Sequence, residues 1–222
     1  MVALKWDQVG EKEFETGVER GVLYKQDGTG AYNTGFAWNG LVSVTESPSG
    51  AESNKQYADN RVYLNLVSAE EFGGTIEAFM YPPEFGECDG TAEVKPGVYV
   101  GQQNRKTFGL SYRTILGNDV DGNDHGYKLH LVYGALAAPS EKAYSTVNDS
   151  PEPITFSWEF STTPVDVPGF KPSAIITINS TEVDATELAA LEALLYGDAD
   201  GEPELPLPAD VFALFTVPPV VP

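Results

Sequence analysis

Two short loops carry the carboxylates that could bind a metal ion. The first, DVDGND, spans 119–124, and the second, DADGE, spans 198–202. Oxygen-rich loops suit Ca²⁺, but the first loop has its glycine at the fourth position, and no bidentate Glu follows at the twelfth. Asp and Asn also favour tight turns. We therefore interpret both loops as connections between strands and expect no cofactor, while Ca²⁺ at 119–124 stays open.

The residues that could act as nucleophile or base do not form a catalytic set. His125 and His130 have opposite parity within one strand and its turn, so they face different sides, and His130 is predicted to be a surface residue. Glu87 and Asp89 flank Cys88, and acidic neighbours raise a thiol pKa. The sequence contains no GxSxG, HExxH, CxxC or phosphate-binding glycine loop. It predicts a protein that is not an enzyme.

The charge of the chain limits its partners. The 33 acidic and 13 basic residues give a formal net charge of −20, which repels a phosphate backbone and argues against a DNA-binding module. The charge fits a soluble surface, or a wall that a polyanion passes without sticking. A single cysteine excludes an intrachain disulfide, and no apolar run approaches the ~18 residues of a membrane helix. We expect synthesis in a cytoplasm, without a signal peptide.

Alternation of apolar and polar residues predicts an antiparallel β protein with one aromatic face. One strand, 61–67, should bury Val62, Leu64 and Leu66, and 155–161 should bury Phe156, Trp158 and Phe160. The predicted strands are 36–47, 61–67, 75–81, 97–100, 106–116, 127–133, 142–147, 155–161 and 173–178.

One substantial helix is predicted over 185–196. Asp184 should cap it, and Leu188, Leu191 and Leu195 form its apolar stripe. A capping-box spacing at 68–71 predicts one further helical turn. The expected fold is a mainly β, antiparallel sandwich or half-barrel with one amphipathic helix.

Composition divides the chain into three parts. Residues 1–35 alternate glycine and charge with lone apolar residues, which predicts an arm on a surface rather than a core segment. Residues 36–201 form the single predicted domain. Within it, 48–60 is too long and polar for a hairpin loop, so we interpret it as an exposed protrusion that becomes ordered against a partner. Its candidate contact residues are Glu52, Asn54, Lys55, Tyr57 and Asp59.

The last part, 202–222, is apolar and interrupted by prolines. Such a segment must pack on its own domain or on a neighbour, and we favour a neighbour because no turn leads back to the core. Alternation of Phe212 and Leu214 predicts a further strand. The candidate interface residues are Leu205, Leu207, Val211, Phe212, Leu214 and Phe215.

Long stretches of the chain resemble the major tail (tail tube) proteins of long, non-contractile-tailed bacteriophages, notably those infecting actinobacteria. The resemblance spans roughly 18–200. It is carried by GLVSVTESPSGAE (40–52), YLNLVSAEEFGGTIEAFMYPPEF (63–85) and GVYVGQQNRKTFGLSYRTILGNDVDGNDHGYKLHLVYGALAAPSEKAYSTVNDSPEPITFSWEFSTTP (97–164). It implies a sandwich-like fold with one helix, assembled into hexameric rings that stack around a channel for genomic DNA.

The resemblance also implies where contacts and partners lie. The segments 1–35, 48–60 and 202–222 match the regions that bridge rings in that family. The implied location is the virion tail, assembled in the host cytoplasm. The implied partners are other copies, the tape measure, tail terminator and distal tail proteins, and DNA that passes without specific binding.

The open edges of the predicted sheet agree with self-assembly. Strands 36–47, 61–67 and 75–81 contain no lysine or internal proline to block pairing, so copies could close a common barrel. Six copies at −20 each would carry −120. As a hypothesis, Glu46 and Glu77 face the lumen.

Two other classes of function stay open. A β-sandwich module binding a carbohydrate or host surface, or a baseplate protein, would need an exposed aromatic patch, for which Trp6, Trp38 and Trp158 are the candidates. Trp38 and Trp158 fall on core faces, which weakens that alternative. An enzyme with an unrecognised site is the other alternative.

Overall fold

The computed structural model describes residues 3–147, 149, 152–199 and 201–215. The protein is mainly β, with 44% strand and 11% helix, as the sequence predicted. Its helices are the 3₁₀ helix Pro83–Glu87, α1 (Ala185–Tyr196) and α2 (Pro208–Leu214). Its strands are β1 (Phe14–Lys25), β2 (Gly35–Ala37), β3 (Leu41–Glu46), β4 (Ser49–Gly50), β5 (Ser53–Ala58), β6 (Arg61–Val67), β7 (Glu70–Glu71), β8 (Gly73–Ala78), β9 (Ala92–Lys95), β10 (Val98–Val100), β11 (Phe108–Asn118), β12 (Gly122–Ala137), β13 (Phe156–Thr162) and β14 (Ile175–Asn179).

Eight strands form the main sheet, in the order β2-β1-β11-β12-β13-β8-β3, with β14 beside β12. All its pairings are antiparallel. β12 bends at Gly134, whose φ is +63° and where a Cβ would lie 2.2 Å from the Thr163 carbonyl oxygen. Residues 128–132 of β12, before the bend, pair with β14, and residues 135–137, after the bend, pair with β13.

Both faces of this sheet are covered over much of its area. On one face the aromatic side chains predicted for the core pack together, with Trp158 fully buried and its ring centroid 5.2 Å from Phe85 and 5.9 Å from Trp38. On the other face α1 and α2 cover Leu129, Leu131 and Tyr133 of β12. The meander therefore has a core on each side.

Helix α1 forms as the sequence predicts. The Asp184 carboxylate accepts hydrogen bonds from the backbone N–H groups of Thr186 (2.8 Å) and Glu187 (3.2 Å), which have no partner inside the helix. The three leucines of the predicted apolar stripe, Leu188, Leu191 and Leu195, are buried. The predicted helix and its cap are confirmed.

The prediction that 1–35 lies outside the core is wrong for β1 and Tyr32, whereas none of the residues 3–13 is buried. β1 lies within the main sheet between β2 and β11, and Val22, Leu23 and Tyr24 are buried. Gly17 (φ +62°) and Arg20 (φ +51°) lie at two irregularities in its pairing with β11. These bulges disrupt the alternation that would otherwise have identified the strand.

The prediction for the C-terminal segment is wrong for 205–211. The chain forms α2 instead of a strand, and Leu205 and Val211 are buried against their own domain. The Leu205 N–H donates to the Tyr32 carbonyl oxygen (3.0 Å), and the Tyr133 hydroxyl donates to the Pro206 carbonyl oxygen (2.9 Å). Residues 216–222 lie outside the described part of the chain.

Three local predictions also differ from the structure. Residues 142–147 contain no strand. Glu70–Glu71 pairs with Ser49–Gly50 as a short ladder instead of forming a helical turn. β8 ends at Ala78, so Met80 is exposed beyond the strand.

Candidate assembly surface

A two-stranded hairpin, β5 and β6, projects from the main sheet, and we call 53–67 hairpin A. Ala58 pairs with Arg61, and the turn residues Asp59 and Asn60 have φ of +51° and +59°. Positive φ at both central residues is the geometry of tight hairpin turns. The segment 48–60 is therefore mostly strand, which corrects the prediction of a loop, although every residue in it is exposed.

One face of hairpin A is apolar and uncovered. Val62, Leu64 and Leu66 share that face, and Tyr57 pairs with Val62. Their exposed fractions are 48, 48, 55 and 70% for Val62, Leu64, Leu66 and Tyr57. The alternation was predicted correctly, but within the described chain no element packs on it. An isolated two-stranded hairpin is marginal in water, so this face needs a partner.

The opposite face of hairpin A, which we call the polar face, carries Lys55, Arg61 and Asn65, although Tyr63 and Val67 are also exposed on it, and the hairpin is tied at its base. The Glu52 N–H donates to the Ser68 hydroxyl, and the Ser68 N–H donates to the Glu52 carbonyl oxygen, both at 3.1 Å. On the polar face the Ser53 hydroxyl donates to Asn65 Oδ1 at 2.5 Å.

The five candidates predicted for this protrusion do lie together on it, but they do not share a face. Glu52 lies at the base, Lys55 is on the polar face and Asp59 is at the turn. Asn54 accepts a hydrogen bond from Gln56 Nε2 (3.0 Å), and Tyr57 is on the apolar face.

A second exposed hairpin, β9 and β10, was not predicted as an interface, and we call 92–100 hairpin B. Only its 97–100 strand was anticipated from the sequence. Val94, Val98, Tyr99 and Val100 are each about half exposed. Beside it lies a cleft of about 150 Å³, walled by Pro83, Glu84, Gly86, Glu87, Thr91, Glu93 and Tyr99.

Carboxylates dominate this acidic cleft. Glu87 accepts hydrogen bonds from Lys106 (2.6 Å) and Lys25 (3.1 Å), and these contacts hold the pKa of Glu87 below its usual value. Glu93 accepts a hydrogen bond from the Gly97 N–H (2.8 Å). No side chain among the lining residues is positively charged.

The two predicted lumen acids lie on opposite faces of the β3–β8 pair. Glu46 shares the core-side face with Val44 and accepts a hydrogen bond from the Tyr112 hydroxyl (2.6 Å). Glu77 lies on the other face, where the Ser43 hydroxyl donates to it (2.8 Å). One surface of this sheet therefore cannot present both. The uncovered side, which we call the polar sheet face, carries Ser43, Thr45, Thr75, Glu77, Ser157 and Glu159.

His130 is buried, so the prediction of a surface residue is wrong. Its ring stacks on Tyr112 with centroids 4.6 Å apart, and its Nε2 lies 3.0 Å from the Thr114 hydroxyl. Glu46 Oε1 is 3.3 Å from Nδ1, and Glu15 Oε1 is 3.8 Å from Nε2. Burial lowers the pKa of His130 despite these carboxylates. Sequence reasoning missed this because it assumed that one face of β12 is solvated.

The DVDGND loop is organised as a turn. Asn118 Oδ1 accepts hydrogen bonds from the Val120 and Asp121 N–H groups (3.0 and 2.6 Å), and Asp119 accepts one from the Gly10 N–H (2.9 Å). Across the described residues, no group of three or more His, Cys, Asp or Glu side chains is placed to hold a metal ion. The second loop includes residue 200, which lies outside the described part.

Cys88 is buried, and burial raises the pKa of its thiol to about 12. The thiol therefore stays protonated near neutral pH and is a poor nucleophile.

The C-terminal candidates divide into two groups. Leu205 and Val211 are buried in the core of their own domain, and Leu214 and Phe215 are half-buried. Only Leu207 and Phe212 remain exposed, and Phe212 contacts the exposed Phe170 ring at 6.4 Å between centroids. Of the tryptophans, Trp38 and Trp158 are buried and only Trp6 is exposed, so they form no aromatic binding patch.

Comparison with known proteins adds no identification: no protein-family model matches the chain, and a search of curated proteins finds no similar sequence. None of the helices in the described ranges has the length and apolar character to cross a bilayer.

Proposed function

We propose that this protein is a structural subunit that assembles with copies of itself into hexameric rings stacked as a bacteriophage tail tube. One observation carries the proposal: hairpin A has a row of apolar side chains along β6 that the described part of its chain leaves uncovered. A monomer that kept Val62, Leu64 and Leu66 in water would be prone to aggregation, whereas a repeating contact would bury them in every copy but the last.

The polar sheet face supports the role of a DNA channel. Its side chains are hydroxyls and the two carboxylates Glu77 and Glu159, with no cation among them. Proteins bind DNA largely because their cationic side chains displace the counterions of the phosphates. A surface without cations cannot do this, so it should let DNA pass without binding it. In this proposal Glu77, and not Glu46, faces the bore. The protein acts in the virion tail, with the tape measure, tail terminator and distal tail proteins as neighbours.

Electron microscopy of the purified chain tests the proposal. We expect rings with six-fold symmetry and tubes that become longer as concentration rises. Sedimentation analysis of the same samples should show mass growing with concentration. A chain that stays monomeric at every concentration, with an intact fold by circular dichroism, would reject the proposed function.

A further inference from the structure

The two exposed hairpins leave opposite ends of one strand. Hairpin A is joined through β7 to the first residue of β8, Gly73. From its last residue, Ala78, the chain runs through the 3₁₀ helix to hairpin B. At that end the Phe79 N–H donates to the Gly40 carbonyl oxygen (2.8 Å). The five steps from Gly73 to Ala78 separate the two ends by about 17 Å at ~3.4 Å per residue.

Both hairpins lack the support that a stable sheet needs. Each is a separate two-stranded sheet, without a third strand or a helix packed on it in the described part of the chain. Each presents apolar side chains that are about half exposed: Val62, Leu64 and Leu66 on hairpin A, Val94, Val98, Tyr99 and Val100 on hairpin B. Joining the two would bury apolar area on both.

Their charges are complementary as well. Hairpin A carries Lys55 and Arg61 against Asp59, so it is net +1 in a chain of −20. The acidic cleft beside hairpin B has three carboxylates in its walls, those of Glu84, Glu87 and Glu93. The nearby cations Lys25 and Lys106 both form ion pairs with Glu87. Glu84 and Glu93 remain to receive a cation. Arg61 directly follows the hairpin turn and is exposed, so it is placed to reach these carboxylates from the tip of hairpin A.

We infer that hairpin A of one copy docks on hairpin B of the next copy, with Arg61 entering the acidic cleft. The inference rests on the proposed self-assembly and names the acceptor surface. Because donor and acceptor are different surfaces at opposite ends of β8, each copy binds one neighbour through hairpin A and another through hairpin B. A heterologous contact that does not close into a ring repeats from copy to copy, so this contact would join successive rings into a stack.

Two complementary variants test the inference. Leu64→Asp blocks hairpin A, and Tyr99→Asp blocks hairpin B. Both side chains are exposed, so the unfolding midpoint of each variant should match wild type. Alone, each variant should form rings that do not stack. Rings of the two variants, prepared separately and mixed at equal concentration, should form stacks of two rings and nothing larger, because the intact hairpin A of Tyr99→Asp meets the intact hairpin B of Leu64→Asp.

A matched control and a charge swap sharpen the test. Asn65→Asp adds the same charge on the polar face of hairpin A and should assemble as wild type. Arg61→Glu should weaken assembly at least about tenfold, and Arg61→Glu with Glu84→Arg should restore most of it.

The alternative outcomes separate the inference from the proposed function. If Tyr99→Asp assembles normally while Leu64→Asp does not, the acceptor lies elsewhere and the inference is overturned, although self-assembly stands. Absence of two-ring stacks in the mixture also overturns it, and failure of the charge swap would show that Arg61 does not bind in the acidic cleft. A wild-type chain that never assembles rejects the proposed function itself.

Discussion

Making the apolar face of hairpin A polar should weaken assembly without weakening the fold. The variant Val62→Thr, Leu64→Thr, Leu66→Thr places a β-branched side chain, which favours strands, at all three positions. Because no element of the described chain packs on this face, the isolated subunit loses little, within about 0.5 kcal/mol per site. Its unfolding midpoint in urea should therefore stay near that of the wild type.

The loss on assembly follows from the exposed area. Fully burying a Val or Leu side chain contributes about 1.5–3 kcal/mol, and roughly half of each of these residues remains exposed in the subunit. Covering that half contributes about 1 kcal/mol per residue and about 3 kcal/mol for the three. Since 1.4 kcal/mol is tenfold, the association constant should fall about 100-fold.

Sedimentation over a concentration series measures this constant, and urea unfolding of each sample measures the fold. Asn65→Thr, on the polar face of the same hairpin, is the matched control and should assemble as wild type. Unchanged assembly of the triple variant would refute the reasoning. So would a loss of several kcal/mol in unfolding free energy, because it would show that the face is covered within the subunit.

Three further predictions concern the subunit itself. Leu205→Ala should lower the free energy of unfolding by about 2–4 kcal/mol because this side chain is buried, while Phe212→Ala should cost less than about 1 kcal/mol; urea unfolding compares them. Burial holds the pKa of His130 below its ordinary value of about 6.5, so the unfolded chain binds protons more readily, and stability should fall as pH drops from about 6.5 toward the folded-state pKa. His130→Gln should flatten that part of the pH–stability curve, and an unaltered slope would contradict the assignment. Asp184→Ala should lower the thermal midpoint because two backbone N–H groups lose their acceptor, and Asp184→Asn, which keeps an acceptor oxygen, should lower it much less.

The sequence predicted best those elements whose pattern is local. The alternation of Phe156, Trp158 and Phe160 identified β13, and Asp184 with three spaced leucines identified α1. Such signals depend on periods of two and of about 3.6 residues, which neighbouring chain segments do not alter. The main-sheet strands β11, β13 and β14 therefore lie within two residues of their predicted starts.

The errors arose where burial depends on distant segments. His130 is polar in the pattern of β12, yet β3 and β1 bring Glu46 and Glu15 over it. β1 was missed because bulges at Gly17 and Arg20 disrupt its alternation. The site was found only in part: 48–60 was identified as a protrusion, but Leu64 and Leu66 were predicted to be buried by their own domain.

Hydrogen–deuterium exchange of hairpin A, compared between dispersed subunits and assembled material, tests the central claim most directly. The claim is that another copy covers the apolar face of this hairpin. Amides of 61–67 should exchange rapidly in the subunit, since a lone hairpin opens easily, and should be strongly protected after assembly, while the core strand β12 is protected in both. Equal, rapid exchange of 61–67 in both samples would contradict the claim.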